Sequence, residues 1–86
     1  MEHTLNQFEM AAQRAKNLPK RPDNNNLLLL YALYKQATVG DVEGPEPTPF
    51  DFVGKAKYDA WAKLEGTASA DARQRYIDLV EKLAQS

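Results

Sequence analysis

Tyr31-Ala32-Leu33-Tyr34-Lys35-Gln36-Ala37-Thr38-Val39-Gly40-Asp41 reads as the second half of a helix and its exit. At about 100° per residue, Leu27, Tyr31, Tyr34, Lys35 and Thr38 fall within one arc. Leu29, Leu30, Leu33 and Ala37 fall on the other side. The leucine side can pack a core. The opposite side offers two phenols and an ammonium, which suits a ligand carrying both an aromatic ring and phosphate. Gly40 ends the helix, because glycine tolerates the left-handed conformation common just past helix C-termini. Upstream, the Asp23 carboxylate is placed to cap it, so the helix is predicted over about residues 23–38.

The spacing is helical on both sides of this element. Leu5, Phe8, Ala12 and Ala15 mark a first helix over about residues 4–17, ended by Pro19 and Pro22. Asp41 to Pro49 carries three prolines and a glycine and cannot be helical, so a long irregular connection is expected there. Ala56, Ala60, Trp61 and Leu64 mark a third helix over about 52–64, stopped by Gly66. A fourth, about 68–85, carries the stripe Ala72, Tyr76, Leu79, Val80 and Leu83, with Thr67 or Ser69 as its cap. No strand pattern, internal repeat or low-complexity segment interrupts this. The expected fold is all-α: a four-helix bundle with a long loop between helices two and three.

Eighty-six residues make one domain, 1–86, too small to enclose a large cavity. A sizeable ligand should therefore lie in a surface groove or between helices. The net charge of −1 argues against a nucleic-acid partner. The absence of cysteine excludes disulfides and thiol catalysis. The N-terminus lacks the basic start and apolar run of a secretory signal. The longest apolar run, Leu27 to Tyr34, is too short to cross a bilayer. A soluble cytoplasmic protein with no stable membrane insertion is expected.

Three polar groupings stand out. Tyr31, Tyr34 and Lys35 read either as the wet rim of a core or as a stacking platform beside a phosphate clamp. Lys57 shares a helical face with Ala60, Trp61 and Leu64, which makes it the inner lysine of the pair Lys55 and Lys57. An inner ammonium must snorkel, pair with a carboxylate or meet another anion. Arg14, Lys16, Lys20 and Arg21 form a basic helix end and turn, either solvated or presenting one cation to a ligand. Trp61 and Tyr76 read as core by composition. His3, the one histidine, reads as incidental near a terminus. No metal-ligand set, nucleophile with an acid–histidine pair, or glycine-rich phosphate loop is present in the sequence, so neither a metal, a cofactor nor a catalytic residue is expected.

Tyr31-x-x-Tyr-Lys-Gln-Ala-Thr-Val-Gly-Asp41, Phe50-Asp-Phe-Val-Gly-Lys-Ala-Lys-Tyr-Asp-Ala-Trp61 and Tyr76-Ile-Asp78 together resemble the acyl-CoA-binding protein family, also called diazepam-binding inhibitor. The resemblance covers essentially the whole chain, in order. It implies a small four-helix protein, not an enzyme, that binds medium- to long-chain acyl-CoA esters and carries or buffers them inside the cell. A monomer is expected because the helices can bury their apolar stripes within one chain. Some larger enzymes carry such a domain as an accessory. By that resemblance Tyr31, Lys35 and Lys57 hold the 3′-phosphate region, and Tyr34 packs on the adenine. Lys16 lies near the head group and Tyr76 lines the site. Phe8, Ala12 and Leu27 flank an acyl groove. Tyr58, Ala62, Leu27 and the proline-rich loop 43–49 depart from the family pattern; leucine for the frequent methionine is a near-isosteric apolar swap. A helical protein-interaction module using the Tyr31/Tyr34 stripe is the alternative, disfavoured because a dry interface has little use for two ammoniums.

Overall fold

The computed structural model describes residues 3–85, with side chains from residue 7 onward; the side chains of His3 and Leu5 lie outside the described residues. Four helices form: α1 (His3–Ala15), α2 (Asn24–Thr38), α3 (Phe52–Ala62) and α4 (Ser69–Ala84). Each lies within about three residues of its predicted span. Asp23 caps α2 as expected, accepting from the Asn26 amide at 2.8 Å. The prediction for α4 needs correcting. Its N-cap is Ala68, and no side chain bonds to the helix start, so neither Thr67 nor Ser69 serves there. Gly40 and Gly66 adopt φ of 102° and 91°, where a Cβ would be strained. No strand occurs among the described residues, and none of their helices is long and apolar enough to cross a membrane.

The helices pack in the order α1–α4–α2–α3: α4 touches both α1 and α2, while α3 rests on α2. The result is a slab of 38 × 30 × 15 Å. Contacts along the elements fix their directions. Tyr31 meets Lys57 and Lys35 meets Trp61, so α2 and α3 run parallel. Gln36 meets Thr67 at the start of α4, and Tyr34 meets Tyr76 further along it, so α2 and α4 run antiparallel. A parallel α2–α3 pair obliges the chain to travel back along the helix before starting α3. The connection 39–51 does this: at about 3.3 Å per residue it easily covers the ~22 Å of a 15-residue helix.

The core lies along the middle of the slab. Phe8 and Ala11 enter from α1, Leu30, Leu33 and Ala37 from α2, Trp61 from α3, and Ala72, Tyr76, Ile77 and Val80 from α4. The predicted leucine face of α2 therefore does the packing, but it is wider than predicted. Ala32 and Gln36 are buried with it, Gln36 to 1% exposure. The Gln36 amide is tolerated there because Nε2 donates to Asp41 Oδ1 and to the Thr67 carbonyl, both at 2.8 Å. The Gly66 amide also donates to Asp41 Oδ1 at 2.8 Å. This knot ties the end of α2 to the turn between α3 and α4. The Gly66 amide first, and the Gln36 amide second, hold the Asp41 carboxyl below the usual carboxylate range.

Candidate functional site

The polar arc of α2 stands between two clefts. The larger, about 850 Å³, opens between α1, α2 and α4 and is lined by Glu9, Met10, Ala12, Gln13, Ala15, Lys16, Tyr34 and Tyr76. Four predicted site residues, Ala12, Lys16, Tyr34 and Tyr76, thus share one wall. Phe8 is buried behind them. Its ring stacks on Tyr34 at 5.4 Å and 21° and meets Tyr76 edge-on at 5.2 Å and 62°. Tyr34 and Tyr76 meet at 5.8 Å and 58°. Edge and offset contacts of this kind hold rings in place by about 0.5–1.5 kcal/mol each beyond their burial. Tyr34 therefore keeps a fixed plane although it is 41% exposed. Burial, with a smaller effect from the Tyr34 phenol, pushes the Tyr76 hydroxyl above its ordinary range, so it stays a neutral hydrogen-bonding group at physiological pH.

The smaller cleft, about 420 Å³, lies between the starts of α2 and α3 and is lined by Arg21, Asn24, Leu27, Leu28, Phe52, Val53, Ala56 and Lys57. Leu27 was expected beside Phe8 and Ala12 on one acyl groove, but it lines this cleft while Ala12 lines the larger one; Lys57, expected with Tyr31 and Lys35, lines this cleft too. Arg21 belongs to the basic cluster singled out in the sequence; Phe52, Val53 and Ala56 were not assigned to a site, although Phe52, Val53, Ala56 and Lys57 follow i, i+1, i+4, i+5 spacing and so share one helix face.

Between the clefts, α2 and α3 face each other through two cation–ring pairs. Lys57 Nζ lies 5.2 Å from the Tyr31 ring centre, and Lys35 Nζ lies 5.0 Å from that of Trp61. Trp61 Nε1 donates to the Gly40 carbonyl at 2.7 Å, which fixes the indole plane. Such pairs are worth about 0.5–1 kcal/mol at exposed sites. Among the described residues neither ammonium is paired with a carboxylate, which leaves both charges available to an incoming anion.

The expectation that Lys57 is the inner lysine is reversed. Lys57 is exposed, whereas Lys55 is half-buried and bound to Glu46 at 2.7 Å and Asp59 at 3.0 Å. Those carboxylates raise the Lys55 ammonium above its ordinary range. The physical reason is that α3 ends the row and packs on α2 alone, so its buried stripe is narrow and Lys57 falls at the rim. The basic cluster after α1 is divided: Lys16 faces the large cleft and Arg21 the small one. Among the described residues no group of three or more His, Cys, Asp or Glu side chains is placed to hold a metal ion.

The family described as acyl CoA binding protein matches residues 5–80. The chain is 49% identical over 77 residues to the acyl-CoA-binding protein of Dictyostelium discoideum, covering 90% of this chain and 92% of that one. It is 50% identical over 86 residues to enoyl-CoA delta isomerase 2 of Rattus norvegicus, but spans only 22% of that relative's length. The fold is similar to the crystal structure of Oryza sativa acyl-CoA-binding protein 2, with a TM-score of 0.91 and 41% identity over 95% of this chain and 91% of that one.

Proposed function

The chain belongs to the acyl CoA binding protein family, and from that premise we propose that residues 1–86 are a single domain that binds medium- to long-chain acyl-CoA thioesters and releases them unchanged. On this reading the protein is a monomeric carrier and pool buffer in the cytoplasm. The observation that carries the reading is the convergence of Tyr31, Tyr34 and Lys35 with Lys57 on one side and Tyr76 and Lys16 on the other. Those groups come from α2, α3, α4 and the turn just after α1, yet they meet along one face of α2.

In the proposed pose the adenine lies against Tyr34 in the larger cleft, with Tyr76 and Lys16 beside it. Lys35 and Lys57 leave their aromatic rings and take the phosphates, with Tyr31 between them. The tail runs into the smaller cleft over Leu27, Leu28, Ala56, Phe52 and Val53. Each methylene withdrawn from water contributes about 0.8 kcal/mol, so a dozen give on the order of 10 kcal/mol before ordering and association costs. The tail then supplies most of the affinity, and the head sets orientation and excludes free fatty acids.

Calorimetry with palmitoyl-CoA, CoA and palmitate tests this. Palmitoyl-CoA is expected to bind far more tightly than either fragment; equal affinity for palmitate and palmitoyl-CoA would defeat the head-group assignment. Lys35→Ala is expected to weaken palmitoyl-CoA binding by about 2 kcal/mol, roughly 30-fold. An unchanged dissociation constant with an intact fold would remove Lys35 from the site.

A further inference from the structure

The chain between α2 and α3 is fastened along α3 as a strap. Trp61 Nε1 donates to the Gly40 carbonyl at 2.7 Å, the Tyr58 hydroxyl donates to the Gly44 carbonyl at 3.4 Å, and Lys55 Nζ meets Glu46 at 2.7 Å. The partners on α3 step back towards its start as the strap advances, so the two run antiparallel. At the end of the strap the Thr48 carbonyl accepts from the Asp51 amide at 3.0 Å, closing the turn that leads to the capping Asp51.

The last part of the strap, Pro45-Glu-Pro-Thr-Pro49, offers itself to another protein as an extended segment. A residue before proline is steered to extended backbone, and here those residues are Glu46 and Thr48. Thr48 is exposed. Among the described residues its hydroxyl, its amide and the Glu46 amide have no hydrogen-bond partner. Docking on this segment therefore breaks one bond, from the Asp51 amide to the Thr48 carbonyl. Thr38 differs, because its hydroxyl is already bound to the Tyr34 carbonyl at 2.8 Å. Thr48 is also the one serine or threonine of the sequence that is followed by proline. Pro49 has no amide hydrogen, so an enzyme groove without an acceptor at that place selects it; any other residue would leave a donor unpaired.

We propose that Thr48 is a phosphorylation site for a proline-directed kinase, and that the phosphate loosens the strap where it meets α3. Thr48 Oγ1 attacks the γ-phosphorus of ATP, the bond from that phosphorus to the β,γ-bridging oxygen breaks, the hydroxyl proton passes to a base of the kinase, and ADP leaves. The sign of the effect follows from the charges nearby. The strap, residues 39–51, carries Asp41, Glu43, Glu46 and Asp51 and no lysine or arginine. Lys55 is already shared between Glu46 and Asp59, and the α3 N-terminus is already capped by Asp51. A group of about −2 charge thus meets carboxylates and no spare cation on the strap. Glu46 is pushed from Lys55 and the turn at Asp51 opens. Phe52 and Val53, which follow directly, wall the smaller cleft, so the phosphate weakens the hold on an acyl tail. That last step rests on the acyl-CoA reading; the modification and the loosening do not.

Incubation of the full chain with a recombinant mitogen-activated protein kinase, Mg²⁺ and ATP, followed by peptide mass spectrometry, tests the proposal. One phosphoryl group is expected on Thr48, and none on Thr48→Ala or Pro49→Ala, both exposed positions whose substitution should leave the fold intact. The Asp51 and Gly54 amides are expected to exchange with solvent faster in the phosphorylated chain. Palmitoyl-CoA is expected to bind it about threefold more weakly, the factor carried by one surface ion pair, while binding of CoA alone stays unchanged. Glu46→Gln, which releases Lys55 without a phosphate, should shift both readouts in the same direction. Phosphate on no residue, or on a residue other than Thr48, would overturn the proposal. So would phosphorylated Thr48 with unchanged amide exchange, or measurable and equal palmitoyl-CoA affinity in the two forms. Faster exchange with no palmitoyl-CoA binding by either form would defeat the carrier reading alone.

Discussion

Asp41 is exposed, yet it ties two parts of the fold together. Its carboxylate receives the amides of Gln36 and Gly66, each at 2.8 Å, and so joins α2 to the turn before α4. Both bonds favour the ionised form, and the carboxyl titrates below its usual range. A depressed folded-state pKa gives stability that is present above the unfolded-state value and is lost as pH falls through the folded one. Asp41→Asn is therefore expected to lower the thermal midpoint near neutral pH, and the gap to wild type should close as pH drops from about 7 to about 2. Thermal melts across that range read this directly; a gap of constant size would mean the charge contributes nothing. Gln36 belongs to the same knot. Its Nε2 is fully used, while its Oε1 is buried without a donor, so the residue is retained at a cost that the two bonds it donates must offset.

At the level of elements, the start of α3 is a small conflict with a definite sign. Asp51 Oδ1 accepts from the Gly54 amide at 3.0 Å, and a Cβ on Gly54 would collide with the Asp51 carboxylate. Alanine normally favours a helix over glycine by about 1 kcal/mol, and an Asp cap is worth about the same. Gly54→Ala alone should therefore be nearly neutral. In an Asp51→Ala background the same change should stabilise by about 0.5–1 kcal/mol. Chemical denaturation of the four proteins in this cycle tests it; equal effects in both backgrounds would show that the cap and the glycine are independent. Such local features were largely legible in the sequence. Helical spacing located all four elements, and Asp23 and Gly40 marked real ends, whereas α3 stops at Ala62 with Lys63 as its C-cap, short of the predicted stop at Gly66. What was not legible depends on neighbours. The burial of Gln36 requires Thr67, 31 residues away. The exchange of roles between Lys55 and Lys57 follows from α3 packing on a single helix. The lining of the smaller cleft by Phe52 and Val53 follows from the parallel run of α2 and α3, which no periodicity within one helix encodes.

For the molecule as a whole, the open row α1–α4–α2–α3 has two ends with different attachments. α1 is held through α4 and through the Phe8–Tyr34 stack, and α3 is held through α2. Elements attached on one side open locally at lower cost than those in the middle. A ligand lying in both clefts would touch α1, α2, α4 and α3 together, so it should stabilise both ends of the row. At 100 times its dissociation constant such a ligand adds about 2.7 kcal/mol. For a chain of this size that raises the thermal midpoint by roughly 10–20 °C. Amide hydrogen exchange locates the effect. Palmitoyl-CoA is expected to slow exchange in α1 and in the first turn of α3 alike. CoA without a tail should slow α1 and leave Phe52 to Lys55 exchanging as in the free protein, because it reaches the larger cleft and the central lysines but not the apolar one. Protection by palmitoyl-CoA confined to α2 and α3 would place the whole ligand on one side of α2 and would remove Lys16 and Tyr76 from its contacts.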